Sequence, residues 1–255
     1  MLFDTHAHFD DPQFDSDREN VIQSLKEFGV SRVMNIGANL ETSRKAVALA
    51  EKYDFFYASV GVHPSDTKGM TEMDLEELRS LAKAHPKVHA IGEIGLDYHY
   101  EDANPEEQKR WLVRQLELAK ELDLPVVIHD RDSKGECLEI LRKMDVSNGV
   151  MHCFSGSAQT ARELVEMGFM ISFTGVLTFK NARRAVEACA AVPLERLMIE
   201  TDCPYMAPEP YRGQRNFSGY VKEVAKKMAE IKGVSFEELA EITMKNALRF
   251  YRIEK

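Results

Sequence analysis

No apolar run in this 255-residue chain approaches the roughly 20 residues that cross a bilayer, so no membrane partner is expected. The N-terminus enters a strand-like segment at Leu2 without the basic and apolar regions of a signal peptide. Cysteine is sparse: Cys137, Cys153, Cys189 and Cys203 are widely spaced and form no C-x-x-C pair. That pattern suits reduced thiols better than a disulfide frame or a zinc knuckle, so a cytoplasmic location is expected. Positive charge is also short, with 33 Lys and Arg against 42 Asp and Glu and a net charge of −9. A broad basic surface of the kind that holds nucleic acid by counterion release is therefore absent. Any phosphate-bearing substrate must be received at a local cationic site, for which bound metal ions are the obvious source. Neither G-x-G-x-x-G nor G-x-x-x-x-G-K-[ST] occurs, which disfavours a nucleotide cofactor. No linker, low-complexity tract or solenoid-period repeat divides the chain, so residues 1–255 are expected to form one domain.

What is present is ordinary soluble-protein composition, 44% apolar and 29% charged. It is arranged as short β-branched runs alternating with longer amphipathic stretches. Strands are predicted over Leu2–His6, Arg32–Gly37, Phe55–Val62, Val88–Gly95, Pro125–His129, Gly149–Phe154, Phe169–Gly175 and Arg196–Asp202. Helix starts are marked by Thr71-x-x-Asp74, Ser133-x-x-Glu136 and Ser235-x-x-Glu238, and by Asn104-Pro105. Gly29 and Gly168 fall where helices should stop. The repeated alternation predicts a single (β/α)8 TIM barrel, with a doubly wound open sheet as the alternative. The charges from Glu72 to Glu77, and Lys222, Lys226 and Lys227, read as solvated helix faces.

In such a barrel chemistry sits at the C-terminal ends of the strands. Asp4, His6 and His8 alternate along the first strand and point one way. His63 follows the third strand, Glu93 comes late in the fourth and His129 closes the fifth. His152 lies near the end of the sixth and Asp202 closes the eighth. Each has a bland reading: a satisfied core histidine, an ordinary ion-pair partner, a helix cap. Their joint placement on one rim argues against coincidence, because an unpaired charge in an apolar strand costs several kcal/mol. Four imidazoles and two carboxylates, from His6, His8, Glu93, His129, His152 and Asp202, suit two divalent cations bridged by a carboxylate. His85 and His89 lie at the opposite end and read as structural.

Several stretches, taken in order, make the chain resemble the TatD family of metal-dependent deoxyribonucleases, among the amidohydrolase-like barrels. They are Asp4-Thr5-His6-Ala7-His8, Gly61-Val62-His63-Pro64 and Gly92-Glu93-Ile94-Gly95-Leu96-Asp97-Tyr98. The series continues with Pro125 to Arg131, His152-Cys153-Phe154-Ser155-Gly156, Glu200-Thr201-Asp202-Cys203-Pro204-Tyr205, and Ala207-Pro208 running to Arg212-Gly213. The resemblance implies one ion held by His6, His8, Glu93 and Asp202, and a second by Glu93, His129 and His152, with Glu93 as bridge. Two departures touch substrate preference rather than metal binding: Phe217-Ser218 replaces a common Glu-Pro, and Cys203 stands where Ser is common.

The activity this implies is hydrolysis of DNA phosphodiester bonds, stepwise from a 3′ end of single-stranded DNA. Two divalent ions (Mg, Mn or Zn) would be the cofactors; histidine-rich ligation suits zinc or manganese, and the family extends to magnesium. Catalytic roles fall to Glu93, to Asp202 as acceptor of the water proton, and to His63 beside the phosphate or leaving oxygen. Arg131, Tyr98, Arg212 and Asn216 are the substrate-binding candidates, with Tyr98 or Phe217 available to stack on a base. A monomer is the working expectation. The rival activities are hydrolysis of another ester or amide, such as the ester of a D-aminoacyl-tRNA, and a barrel that binds without turnover.

Overall fold

A computed structural model describes residues 1–254. Among these residues, strands and helices alternate from end to end. The order is β1 (Leu2–Ala7), α1 (Arg18–Ser24), β2 (Val30–Ile36), α2 (Leu40–Lys52), β3 (Phe56–Val60), α3 (Glu72–Ala84), β4 (Val88–Asp97) and α4 (Pro105–Leu122). It continues with β5 (Val126–Arg131), α5 (Glu136–Lys143), β6 (Gly149–Met151), α6 (Ala158–Glu166), β7 (Met170–Phe173), α7 (Arg183–Ala191), β8 (Leu197–Ile199), α8 (Val221–Lys232) and α9 (Phe236–Phe250). The strands form one eight-stranded sheet in sequence order, β1 to β8. This is the (β/α)8 arrangement, and all eight predicted strands are found.

The chain divides into two compact units. The first comprises Met1–Asn35, His152–Glu166 and the stretch from Met170 onward; the second comprises Ile36–Met151 and Met167–Phe169. In the first, β1 runs parallel to β2, with Phe3 opposite Arg32. The chain beyond β8 returns to β1 through a parallel bridge between Ala7 and Cys203. Every residue of β1 is buried, as expected of a parallel strand covered on both faces. The Tyr251 hydroxyl, just beyond α9, donates to Thr5 O of β1 at 3.1 Å, and Asn246 Nδ2 on α9 donates to Leu197 O at the start of β8 at 2.8 Å.

In the second unit β3, β4, β5 and β6 pair in parallel. The β-branched run Val126-Val127-Ile128 is buried throughout, which is why this apolar sequence takes a central strand. Helix α4 contributes two buried glutamines, Gln108 and Gln115, seven residues apart on one face. Gln115 accepts from Val62 N at 2.7 Å and donates to Val62 O at 3.0 Å. Gln108 treats Asp97 in the same way, both bonds measuring 2.8 Å. Each amide satisfies the backbone of one residue near a strand end, where no further ladder is available.

Most of the predicted helix starts hold. Asp74 accepts from both the N–H and the hydroxyl of Thr71, Asn104 caps α4 ahead of Pro105, and Ser235 Oγ accepts from Glu238 N at 3.1 Å. Ser133 is a correction. Helix α5 begins at Glu136, and its cap position is Gly135 at φ 94°. Lys134 also takes positive φ, so the backbone turns between Ser133 and the helix; Ser133 is not the cap residue, although its Oγ still accepts from Cys137 N in the first turn at 3.4 Å. The sixth and eighth strands are shorter than predicted, ending at Met151 and Ile199. His152 and Asp202 therefore lie on the loops just beyond them.

Candidate metal centre

In the first unit the chain after β8 is laid against β1 by backbone bonds. Asp202 N donates to His6 O and His8 N donates to Cys203 O, both at 2.9 Å. These bonds bring the Asp202 carboxylate beside both imidazoles of the His-x-His segment. Asp202 Oδ1 lies 3.6 Å from His6 Nε2 and 3.3 Å from His8 Nε2, and the two Nε2 atoms are 3.1 Å apart. The His152 ring stacks on that of His6 with centroids 4.0 Å apart. Burial raises the pKa of Asp202, but the His8 hydrogen bond and the charges of His6, His8 and His152 outweigh it. The carboxyl is held below its ordinary value and stays ionised.

A set of polar residues holds this loop. Buried Asp4 accepts from Thr201 N at 2.8 Å, Thr201 Oγ1 at 2.5 Å and Ser218 Oγ at 2.5 Å. Glu200 accepts from Cys153 N at 2.7 Å and from Ser172 Oγ at 2.5 Å, and its Oε1 is 3.3 Å from His152 Nδ1.

The second unit gathers its own set toward the ends of β3, β4 and β5. His129 Nδ1 lies 2.8 Å from Glu93 Oε1, and its Nε2 lies 3.3 Å from Asp97 Oδ2. His63 Nε2 is 3.6 Å from the same Glu93 oxygen, and its ring packs edge-on to His129 at 4.4 Å. Burial pushes the Asp97 carboxyl up, yet bonds from His129 and from the His99 N–H, with the nearby His63 charge, bring it below its usual value.

The donor sets fit divalent cations. His6, His152 and Asp202 in one unit, and His63, Asp97 and His129 in the other, each offer ligand atoms lying within 4.8 Å of one another. Imidazole nitrogen with carboxylate oxygen is the ligand chemistry of zinc, manganese and related ions. Converging carboxylates and imidazoles of this kind gain most from a cation placed among them.

The first unit thus assembles His6, His8, His152 and Asp202, and the second assembles His63, Glu93 and His129. Arg131 is exposed, with its guanidinium 5.7 Å from the Tyr100 ring centre, and Arg212 is exposed above the Phe179 ring at 3.8 Å. The Tyr98 hydroxyl donates to Glu136 at 3.0 Å. Asn216 is fully buried, and its Nδ2 donates to Thr201 O at 3.0 Å and Tyr205 O at 2.7 Å. It holds the loop that carries Asp202 and presents no polar hydrogen outward. Phe217 packs edge-on against Phe28 and Tyr220. Sequence reasoning passed over Asp97 and Glu200 as site residues; both stand inside segments already singled out, Asp97 four residues after Glu93 and Glu200 two before Asp202.

The family profile described as "TatD related DNase" matches residues 3–252. The chain is 47% identical over 255 residues to the metal-dependent hydrolase YabD of Bacillus subtilis (strain 168), covering 99% of this chain and 100% of that one. This protein belongs to the TatD-related DNase family. It is a metal-dependent hydrolase, and the ligand sets above are the part of it suited to hold the metal. Among its TatD relatives, a Cronobacter sakazakii (strain ATCC BAA-894) protein named 3′-5′ ssDNA/RNA exonuclease TatD is 35% identical, covering 98% of this chain and 97% of that one. The crystal structure of the TatD homologue YjjV from Escherichia coli K12 superposes with a TM-score of 0.94 at 33% identity, covering 99% and 98% of the two chains. TatD membership agrees with the (β/α)8 order of the strands. No helix among the described residues is long and apolar enough to cross a membrane.

Proposed function

We propose that this TatD-related hydrolase cleaves phosphodiester bonds of single-stranded DNA, removing nucleotides from the 3′ end with two divalent ions. The observation that carries the reading is the convergence of His6, His8 and Asp202, with both Nε2 atoms and Oδ1 within 3.6 Å of one another, in a chain matched nearly end to end by this family. The naming of relatives as 3′-5′ ssDNA/RNA exonucleases supports the substrate and polarity.

In this reading His6, His8, Glu93 and Asp202 would hold one ion, and Glu93, His129 and His152 would hold the other. Bound divalent ions supply positive charge to the phosphate and lower the pKa of the attacking water. Asp202, kept ionised by its imidazole neighbours, accepts the water proton. His63 orients the phosphate or assists the leaving oxygen. Its Nδ1 accepts from Ser65 N at 3.1 Å, which places its own proton on Nε2, the nitrogen facing Glu93. Arg131 and Arg212, both exposed, are the cations available to the phosphates of the strand. With a net charge of −9, binding to DNA is modest and salt-sensitive.

The test follows 3′-labelled and 5′-labelled single-stranded DNA with magnesium, manganese, zinc or chelator, alongside D-aminoacyl-tRNA. Metal-dependent shortening from the 3′ end supports the proposal. Release of the amino acid from tRNA with intact DNA would move the substrate to the acyl ester.

A further inference from the structure

Two turns in the first unit open on candidate metal ligands. Asp11 N donates to His8 O at 3.1 Å, and Tyr205 N donates to Asp202 O at 3.0 Å. Asp11 and Tyr205 are each the fourth residue of a tight turn, with a Cα within about 7 Å of that of the ligand residue opening it. Their side chains meet between the two loops, the Tyr205 hydroxyl donating to Asp11 Oδ2 at 2.7 Å. The Tyr205 carbonyl is also taken, accepting from Asn216 Nδ2 at 2.7 Å. The residue is thus fixed at its N–H, its C=O and its hydroxyl, yet it is 49% exposed. Tyr100, the other exposed tyrosine among the described residues, already has the Arg131 guanidinium and the His99 ring against it. Phe217 is packed by Phe28 and Tyr220.

We infer that Tyr205 is a base platform, its ring stacking on the nucleobase of a nucleotide next to the phosphate received at His8 and Asp202. This rests on the reading of single-stranded DNA as substrate. The carboxylate of Asp11 at the end of the ring repels a phosphate, so the ring suits an uncharged planar group. In a DNA strand that group is the base. Every base has a π-face, so stacking here adds affinity without choosing sequence. The tether to Asp11 also orders the ring before the strand arrives, which lowers the entropy lost on binding.

The experiment measures binding of manganese-loaded protein to fluorescein-labelled, hydrolysis-resistant phosphorothioate single strands by anisotropy. The strands are intact or carry one abasic site at the last, second or third position from the 3′ end. The parent is expected to bind one of the abasic strands about 5–100-fold more weakly than the intact strand. Tyr205→Phe, which keeps the ring, should retain that discrimination, and Tyr205→Ala should bind the two strands alike. A mere structural role for Tyr205 would weaken both strands equally and leave the discrimination in place. A parent indifferent to all three abasic sites, or a Tyr205→Ala protein that still discriminates, would overturn the assignment. The parent comparison needs no variant, so poor folding of Tyr205→Ala leaves that refutation open. Cleavage of unmodified DNA is read on the same preparations. Cleavage by a parent that ignores abasic sites would sink the platform and leave the nuclease reading standing. Discrimination that depends on Tyr205, without any cleavage, would support the platform and count against the nuclease reading alone.

Discussion

Thr201 gives both its backbone N–H, at 2.8 Å, and its hydroxyl, at 2.5 Å, to the buried carboxylate of Asp4. The residue before Asp202 is thereby fastened to the strand that carries His6 and His8. Asp202 takes φ 55°, a left-handed conformation that a side chain adopts only when its surroundings hold it there.

Thr201→Val keeps the shape and the backbone bond but deletes the hydroxyl, leaving Asp4 one donor short in a buried site. The expected cost is about 1–3 kcal/mol, read as a lowered urea midpoint at unchanged m-value. Because the loop is loosened next to Asp202, hydrolysis should fall by more than the small unfolded fraction explains. A variant with parental stability and rate would show that the bond does not position the loop.

Gly95 pairs with His129 across β4 and β5 so closely that an added Cβ would lie 1.8 Å from His129 O. That neighbour is backbone and cannot swing aside. Gly95→Ala should therefore cost at least about 1–3 kcal/mol and displace His129, lowering metal content as well as thermal stability. A variant that melts with the parent and keeps its metal would contradict this close approach.

The four cysteines are all free, and three are buried. Burial lifts the Cys153 thiol, the partly exposed one, to about 12, and Cys189 also to about 12. A raised thiol pKa means less thiolate, and thiolate is the reactive form, so alkylation at pH 8 should be slow in the folded protein and fast in denaturant. Rapid labelling of Cys153 in the native state would contradict this. Raising the pH from 7 to 9 should leave native labelling slow, because both values remain well below the shifted pKa.

Much of the arrangement is legible in the residues themselves. Val126-Val127-Ile128 reads as a buried strand because only a strand covered on both faces accepts such a run, and the ligand residues stand out as polar groups where apolar ones are expected. The supporting residues are less legible for a physical reason. Gln108 and Gln115 look like solvated helix positions until the strand ends they satisfy are in view, and Asn216 looks like a loop residue open to substrate. Its burial depends on two carbonyls, Thr201 and Tyr205, that chain folding places around it. Ser133 misleads in the opposite sense: the local pattern of a cap is present, but positive φ at Lys134 and Gly135 moves the helix start downstream.

The most direct measurement of the central claim counts metal and reads cleavage on the same samples. Parent, Glu93→Ala and Asp202→Ala proteins would be loaded with manganese or zinc and dialysed. Metal content would be measured by elemental analysis, and nucleotide release would be followed from 3′-labelled single-stranded DNA. The account predicts two ions per parent chain, fewer in both variants, and release at least about 100-fold slower in each. Full metal content with no release from DNA in the parent, or parental cleavage by Glu93→Ala, would contradict it.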